Sequence, residues 1–370
     1  MISQSDFLGR VKRMDFGMLV CVLALCVIGI FFIYSAGYQH MDRPVHLLYK
    51  RQILWVFLGM GLYVLVATLD YEVLTNKAHW FYLGALVLGI VVLLWGREVN
   101  GAKRWLNVGI KVQPAEFMKA GLMIYLAAFL SQPGRSLDDL PYVLASLILC
   151  GLPFVLIALQ PDLGTAFVLL PMTLGVMYVA KMPYRFLILI AVVGLLLLPV
   201  GWMGMKDYQK ERLTSFLHPE DAPTTLNWNR NQSEIAVGSG GLTGKGFLKG
   251  TQNILGFLPS TVAPTDFIYS VIAEETGFMG TAVILSLYCY LFFAIARAAL
   301  RARDRVGRYL AVGALVLLFT HVLVNIAMTV GLMPITGLPL PLLSYGGSFT
   351  LSTLLVLGLV QSIYIRRIRQ

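Results

Sequence analysis

Ten apolar runs dominate this 370-residue sequence. Most of them are long enough to cross the hydrocarbon core of a bilayer, about 30 Å, which takes roughly 20 helical residues. They do not alternate in polarity, as the strands of a membrane β-barrel, about ten residues each, would. The runs therefore predict membrane-spanning helices. They occupy residues 16–36, 53–69, 80–95, 114–130, 142–159, 164–180, 186–203, 277–296, 309–332 and 350–365.

The composition supports this interpretation. Apolar residues make up 58% and charged residues 13% of the chain, whereas soluble domains contain about 45–50% and about 25%. A soluble protein of this length cannot bury so much apolar surface, so the soluble, nucleic-acid-binding and disordered classes are excluded. The four cysteines lie in apolar runs without metal-ligand spacing, so neither disulfides nor a zinc site are indicated. We expect an all-α polytopic membrane protein with about ten transmembrane helices.

Lysine and arginine cluster in three short polar segments, residues 10–13, 297–308 and 366–369. Ten spans place these segments on one side of the membrane, and basic residues favour the cytoplasmic side. Both termini are therefore expected to be cytoplasmic. The segment after the third run, residues 97–111, also carries four basic residues, yet it should lie outside. We interpret these as evidence for an anionic ligand rather than as tolerated exceptions.

One long polar stretch, residues 204–265, separates the seventh and eighth runs and should lie outside the membrane. It is too short and too apolar to be a separate soluble domain, so residues 1–370 are expected to form a single membrane domain. We expect this loop to be a cap with short helices that partly follows the membrane surface. Its glycine-rich patch, residues 238–246, does not match a nucleotide-binding loop. Free backbone N–H groups beside Lys245 would nevertheless suit a phosphate.

Ionisable residues at membrane depth are costly unless they are paired or face a wet cavity, so they are functional candidates. Glu116 and Lys119 lie three residues apart on one helix face, and they are equally well explained as a self-neutralising structural pair. Asp162, in a tight break between two runs, is interpreted mainly as the N-cap of the next helix. Glu274 and Glu275 precede the eighth run and mark the membrane interface or a cavity wall.

Asp266 lies where the large outer loop enters the eighth run. A single helix over residues 267–296 would be about 45 Å long, more than the hydrocarbon core. We therefore expect the lipid-exposed part to begin at Gly277, and residues 266–276 to form an outer extension that lines a polar cavity. Phe267 and Ile268 beside the carboxyl group favour a raised pKa and a role as general base. Helix capping is the competing interpretation.

The ninth run ends in residues 325–348, an apolar stretch that contains three prolines and four glycines after residue 330. Such a stretch cannot be a continuous helix. Non-helical backbone at membrane depth must be buried in protein or line a cavity. We expect a re-entrant loop that faces the same outer cavity as Asp266.

These segments resemble the SEDS family, which contains RodA, FtsW and their sporulation relative, along essentially the whole chain. The absence of long tails is more typical of RodA. Two positions differ from the family pattern: Phe349 replaces a small residue, and Pro264 replaces a histidine in a segment lengthened by two residues before Asp266. The matching motifs are GAKRWL at 101–106, QPAE at 113–116 with Lys119, QPDLGT at 160–165, RLTSFL at 212–217, QS at 232–233, IAVGSGGL at 235–242, GKG at 244–246, GLMP at 331–334 and LLSYGGS at 342–348.

The resemblance implies polymerisation of lipid II, a disaccharide-pentapeptide on undecaprenyl diphosphate, into β-1,4 glycan strands for cell elongation and rod shape. Asp266 would deprotonate the acceptor hydroxyl of an inverting glycosyltransferase. The implied binding residues for substrate and diphosphate are Arg104, Lys111, Glu116, Lys119, Arg212, Gln232, Lys245 and Ser344. The implied structural or cavity residues are Trp105, Asp162, Glu274, Glu275, Pro334, Gly346 and Gly347.

The resemblance also implies a location and partners. The chain would lie in the cytoplasmic membrane, with its active site on the extracytoplasmic side and the growing glycan strand and membrane lipid as partners. A class B penicillin-binding protein would supply transpeptidation. No cofactor is certain, although a divalent cation, Mg²⁺ or Mn²⁺, would help the leaving group. A lipid II flippase and a non-catalytic scaffold for the penicillin-binding protein are the competing functions.

Overall fold

The computed structural model describes residues 9–38, 44–99, 102–107, 109, 111–218 and 224–367. Gly101 of the GAKRWL motif and residues 219–223 of the outer loop lie outside the described residues. The helices are α1 (Phe16–Tyr38), α2 (Leu48–Thr68), α3 (Tyr71–Asn76), α4 (Ala78–Trp95), α5 (Pro114–Leu130), α6 (Leu140–Leu159), α7 (Leu163–Val179), α8 (Tyr184–Gly204), α9 (Asp207–Leu217), α10 (Thr224–Ser239), α11 (Thr251–Ile254), α12 (Ile268–Leu300), α13 (Arg305–Thr329) and α14 (Gly347–Ile365), and a 3₁₀ turn spans Pro44–Leu47.

The all-α membrane architecture predicted from the sequence is confirmed. Within the described ranges, eight helices are long and apolar enough to cross a membrane: α1, α2, α4, α6, α8, α12, α13 and α14. The two remaining predicted runs are also helical but shorter. Helix α7 has 17 apolar-rich residues, and α5 has 17 residues that include Glu116 and Lys119.

A small antiparallel sheet between α4 and α5 was not foreseen. Its strands are β1 (Arg97–Val99), β2 (Ala102–Asn107) and β3 (Lys111–Val112), in that order. Arg97 pairs with Trp105, and Asn107 pairs with Lys111. Pairing gives the backbone N–H and C=O groups of these short strands partners within the protein. The sheet fixes the position of Arg104 on β2.

The helices differ widely in how much of their surface is buried. Helix α14 is the most buried of the eight candidate spans, and it packs against α2, α5 and α13. Helix α8 is the opposite extreme, because none of its residues is buried. The protein core therefore lies around α14, while α8 lies at the periphery.

The three basic segments meet at one end of the bundle. Arg297 forms an ion pair with Asp15, beside the N-terminal cluster. Asp70, in the turn after α2, lies 3.7 Å from Arg303 Nη2 and 3.1 Å from Arg366 Nε, which belong to the other two segments. The positive-inside rule leads us to expect that this end is cytoplasmic. Helix α13 begins there and ends at the opposite end of the bundle.

Helix α12 is interrupted at Gly277, the residue at which the sequence predicted that its lipid-exposed part begins. Gly277 has φ 65° and ψ −163°, which are not helical. Residues 268–275 before it are all buried, whereas Phe278 and Met279 after it are largely exposed. The interruption thus separates an outer, protein-enclosed extension from the part of α12 that faces lipid.

The glycine-rich patch packs against this interruption. The N–H groups of Lys245 and Gly246 donate to the carbonyl oxygens of Glu274 and Glu275, at 3.0 and 2.9 Å. A Cβ atom added at Gly277 would lie only 2.3 Å from the backbone nitrogen of Gly244. The patch therefore uses these N–H groups to complete a broken helix, and they are not free for a phosphate.

Cysteine labelling tests the orientation. Lys249, in the outer loop, and Arg305, at the start of α13, are both exposed. We expect a membrane-impermeant maleimide added to intact cells to label Lys249→Cys and to leave Arg305→Cys unlabelled until the membrane is opened. The unsubstituted chain, whose cysteines lie in α1, α6 and α12, is the control. The reverse labelling pattern would contradict the orientation.

A glycine substitution tests the packing at the α12 interruption. Gly277→Ala adds a methyl group where no space exists and where φ is positive, so we expect a loss of about 1–3 kcal/mol of stability. Gly151→Ala in α6 is the matched control, because no atom lies within 4 Å of the added Cβ. Thermal unfolding in detergent should place Gly277→Ala clearly below the wild type and Gly151→Ala at or above it. Equal unfolding temperatures for the two variants would refute the packing argument.

Candidate functional site

A cavity of about 290 Å³ lies at the end of the bundle opposite the basic segments. Its walls come from α7, α9, α13 and the stretch between α13 and α14, which we call the broken segment (residues 330–346). Three charged side chains, Arg104, Asp162 and Arg212, line it, together with apolar residues such as Phe167 and Met333. The cavity is therefore amphiphilic.

Arg104 and Asp162 form one charged corner of this cavity. The Arg104 guanidinium donates to the carbonyl oxygens of Gln160, at 3.3 Å, and Pro161, and its Nη1 lies 3.8 Å from Asp162 Oδ2. Asp162 Oδ1 accepts the N–H of Thr165 at 3.3 Å, so this residue is the N-cap of α7. The capping role expected for Asp162 is present in the structure, and the same carboxylate orients Arg104.

Arg212 supplies the second cation of the cavity. It lies on α9, and its Nη1 donates to the carbonyl oxygen of Ile335 in the broken segment at 3.3 Å. Pro334, also singled out from the sequence, lines the cavity beside it. Helix α9 and the broken segment thus hold a guanidinium group next to the apolar wall.

Asp266 is partly buried and is not one of the residues that line this cavity, but its carboxyl group interacts electrostatically with the three charged residues that do. A Cβ atom added at Gly337, in the broken segment, would lie 3.4 Å from Asp266 Oδ2. Burial raises the pKa of the Asp266 carboxyl to about 6. The positive charge of Arg212 and a hydrogen bond with Thr265 oppose this shift, and the negative charge of Asp162 adds to it. A carboxyl group with this pKa changes protonation close to neutral pH.

The side chain of Asp266 does not cap α12. The N-cap residue of that helix is Phe267, which makes no side-chain capping hydrogen bond. The structural alternative considered for Asp266 therefore has no contact to support it.

The backbone of Asp266 and of the two residues before it is clamped from one side. Asn325 Nδ2, on α13, donates to the carbonyl oxygen of Asp266 at 2.9 Å. Ser344 Oγ donates to that of Thr265 at 2.5 Å, and the N–H of Tyr345 donates to that of Pro264 at 2.8 Å. The broken segment and α13 thus fix the backbone that carries the carboxyl group.

The lengthened segment before Asp266 folds into a compact turn. The carbonyl oxygen of Val262 accepts the N–H groups of Thr265, Asp266 and Phe267 at 3.0–3.2 Å. Pro264 fits this turn because its carbonyl oxygen, and not an N–H group, makes the contact with the broken segment. The departure from the family pattern is therefore accommodated by backbone hydrogen bonds.

Glu116 and Lys119 do not line the cavity. They form a buried ion pair, with Lys119 Nζ 2.9 Å from Glu116 Oε2, and Ser352 Oγ donates to the same oxygen at 3.2 Å. Lys119 also contacts His321 Nε2 at 2.9 Å. These contacts agree with the interpretation of Glu116 and Lys119 as a self-neutralising structural pair.

Lys245 and the two glutamates lie in a different place from the two arginines. Lys245 Nζ lies 2.7 Å from Glu274 Oε1, which also accepts from Thr251 Oγ1 at 3.0 Å. Ser35 Oγ donates to Glu275. These contacts tie the outer loop and α1 to the interruption in α12, and they leave Lys245 with a structural partner.

The other predicted residues are scattered around the site. Lys111 is exposed on β3, and Gln232 is buried on α10. The N–H of Gly346 donates to Gln52 Oε1 at 3.3 Å, and Gly347 lies against the indole ring of Trp55, so both glycines seat the start of α14.

Sequence reasoning missed two buried polar residues, Gln52 and His321. Gln52 Nε2 donates to Thr350 Oγ1 at 3.0 Å and thereby joins α2 to α14. A polar side chain beside or within an apolar run was the available signal for both.

The described residues contain no group of three or more His, Cys, Asp or Glu side chains arranged to hold a metal ion. Asp266 and Asp162 influence each other electrostatically, but Arg212 and Arg104 act on the same carboxyl group. The two arginine side chains provide the positive charge beside these carboxyl groups, so the arrangement does not resemble a metal centre.

Comparison with known proteins places the chain in a family. The family described as "Cell cycle protein", which groups FtsW, RodA and SpoVE, matches residues 16–368. The peptidoglycan glycosyltransferase MrdB of Escherichia coli K12 is 36% identical over 361 residues, 96% of this chain and 94% of that protein. The peptidoglycan glycosyltransferase RodA of Treponema pallidum is 34% identical, over 97% of this chain and 99% of that protein.

Solved structures agree. A chain from a peptidoglycan synthase complex that coordinates polymerization and crosslinking has a TM-score of 0.80 and 32% identity, covering 96% of this chain and 99% of that chain. The rod shape determining protein RodA of Thermus thermophilus has a TM-score of 0.71 and 31% identity, covering 96% and 98%. The chain therefore belongs to the FtsW/RodA/SpoVE family, the SEDS family that its motifs indicated.

Proposed function

We propose that this chain, a peptidoglycan glycosyltransferase by its family, polymerises lipid II with Asp266 as the general base. One observation carries the assignment: a carboxyl group whose pKa is raised to about 6 interacts electrostatically with the charged residues of an amphiphilic cavity, two of which are arginines. A general base works best when its pKa lies near the working pH.

The reaction follows from this arrangement. The Asp266 carboxylate removes the proton from the 4-hydroxyl group of the GlcNAc residue of the incoming lipid II. That oxygen attacks the anomeric carbon of MurNAc at the end of the growing strand, and the bond to undecaprenyl diphosphate breaks. Attack opposite the leaving group inverts the anomeric carbon and gives a β-1,4 link.

The cavity suits the leaving group. Negative charge develops on the diphosphate as the bond breaks, and fixed cations stabilise such charge in a protected site. Arg104 and Arg212 are held in place by carbonyl oxygens and by Asp162, so little reorganisation is needed. The apolar lining near Phe167 and Met333 suits the polyprenyl chain.

The cavity lies at the end of the bundle opposite the three basic segments. This supports an active site on the extracytoplasmic side of the cytoplasmic membrane, where peptidoglycan strands are assembled. The similar chain from a synthase complex that couples polymerization to crosslinking supports a transpeptidase partner of the class B penicillin-binding type.

Substitution of Asp266 is the direct test. Asp266→Asn keeps the size of the side chain but cannot accept a proton, so we expect polymerisation of fluorescent lipid II to fall at least about 100-fold. The wild-type rate should rise with pH and reach half its maximum near pH 6, where the carboxyl group ionises. Burial disfavours the ionised form, so this group lowers the stability of the fold as pH rises from its ordinary pKa of 3.8 to about 6, and the loss is complete above that pH. The variant should therefore unfold at the same or a higher temperature than the wild type at pH 8.

The competing functions give different results in the same experiment. A flippase would move lipid II across vesicles without making polymer, and a scaffold would do neither, whether or not Asp266 is changed. Near-normal polymerisation by Asp266→Asn would exclude Asp266 as the general base.

Substitutions of Arg212 and Lys245 form a matched pair that tests the proposed leaving-group site. Arg212→Ala removes a charge-assisted contact, which is worth about 1.5–3 kcal/mol, or roughly 10–100-fold in rate. Lys245→Met leaves the buried Glu274 carboxylate unpaired. We expect it to lower the unfolding temperature, while the folded fraction polymerises at a rate close to wild type. Equal rate losses in both variants would mean that Lys245 also contacts the diphosphate.

A further inference from the structure

His321 is a buried residue that the proposed reaction does not use. It lies on α13, one turn before Asn325, and is almost fully enclosed by protein. Lys119 Nζ approaches its Nε2 atom at 2.9 Å, and the carbonyl oxygen of Pro339 lies 3.4 Å from its Nδ1 atom. The histidine therefore bridges a buried ion pair and the broken segment.

The contacts fix the direction of both hydrogen bonds. A lysine ammonium group has donors only, so Nε2 must accept from Lys119. A neutral imidazole with Nε2 as acceptor carries its proton on Nδ1, which then points to the carbonyl oxygen of Pro339. His321 thus connects the Glu116–Lys119 ion pair, through one hydrogen bond on each ring nitrogen, to the backbone of the broken segment.

Neighbouring contacts make this bridge part of one clamp. Asn325, on the same face of α13, donates to the carbonyl oxygens of Leu338, at 2.7 Å, and Asp266. Leu338 and Pro339 are consecutive, so α13 holds two successive carbonyl groups of the broken segment. Five residues later, Ser344 of that segment holds the backbone of Thr265. The position of Asp266 therefore depends on where α13 places residues 338–339.

Phe349 completes the arrangement at the position where the family resemblance led us to expect a small residue. Its ring centroid lies 5.1 Å from that of His321 and 5.3 Å from Lys119 Nζ, within the range of a cation–π contact. The small space among Lys119, His321 and Phe349 is about 10 Å³, at most enough for a single water molecule. The ring therefore leaves room for no more than one water molecule beside the hydrogen-bonded pair.

We propose that His321 is a positioning residue, which links the Glu116–Lys119 ion pair to the broken segment and thereby aligns Asp266 for proton transfer. The inference rests on the proposed function of Asp266. His321 does not line the cavity, so its removal should affect turnover and not substrate binding.

The test compares two substitutions in the full-length protein. His321→Leu removes both hydrogen bonds, and we expect kcat for lipid II polymerisation to fall on the order of tenfold with KM unchanged, because a small misplacement of a catalytic group slows reaction. His321→Gln keeps an acceptor for Lys119 and a donor on the same side chain, so it should recover most of the rate. Leu323→Ala, two residues away on the lipid-facing side of α13, is the control that should retain the wild-type rate.

Hydrogen exchange supplies a readout that a general loss of stability would not give. The N–H groups of Leu340 and Tyr345 are bonded to Ser344 Oγ and to Pro264. They should exchange faster in His321→Leu, while amides in the middle of α6 and α12 stay protected. Protection is expected to return in His321→Gln.

The outcomes separate the two proposals. An inactive wild type, or an active Asp266→Asn, would overturn the proposed function. A wild type that depends on Asp266, together with a His321→Leu variant at full rate, would overturn only the positioning role. The positioning role would also be overturned if both His321 variants lost activity and hydrogen exchange became faster uniformly across the chain. A His321→Leu variant in which only KM rises would overturn it as well.

Discussion

The structure around Asp266 depends on one constraint: backbone polar groups next to hydrocarbon must find partners within the protein. Helix α12 is interrupted at Gly277, and the chain between α13 and α14 is not helical. Both regions expose N–H and C=O groups that a continuous helix would satisfy internally. The glycine-rich patch satisfies the first region, and Asn325, Ser344 and His321 satisfy much of the second.

These hydrogen bonds also explain why the backbone that carries the Asp266 carboxyl group is held firmly although Asp266 lies outside a helix. Consecutive carbonyl oxygens at positions 264–266 each accept one hydrogen bond from α13 or the broken segment. The backbone atoms of Asp266 make the contacts that hold it in place, so its carboxyl group is not needed to cap a helix. Burial can then raise the pKa of that carboxyl group toward neutral.

The sequence predicted the membrane helices and the start of the lipid-exposed part of α12 at Gly277, because hydropathy and helix length are local properties; it did not predict that the helix is interrupted there. It also singled out Asp266, where a short-range alternative, helix capping, could be tested only with coordinates. The grouping of basic residues could not be predicted, because it depends on contacts distant in sequence. Arg104 and Arg212 line one cavity, whereas Lys245 pairs with Glu274 at the helix interruption.

The small sheet and the buried contacts of Gln52 and His321 could not be predicted from the local sequence either. The sheet-forming segment is short and contains polar and apolar residues in about equal numbers, so its composition is equally typical of a loop. A glutamine or histidine among apolar residues signals that a partner exists but does not say which element supplies it. In this chain the partners lie about 200–300 residues away, on α5 and α14.

The exposure of helix α8 bears on how its sequence can vary among related chains. None of its residues is buried, although Phe186, Leu187 and Ile190 pack partly against the core. From residue 191 onward every residue of α8 is exposed, so these side chains meet lipid rather than shaped protein surfaces, and one apolar residue serves there nearly as well as another. Natural selection on this helix should act on length and mean hydropathy rather than on residue identity. Closely related chains are therefore expected to diverge fastest along α8 while keeping it as a span, and to change slowest along α14, whose neighbours surround it.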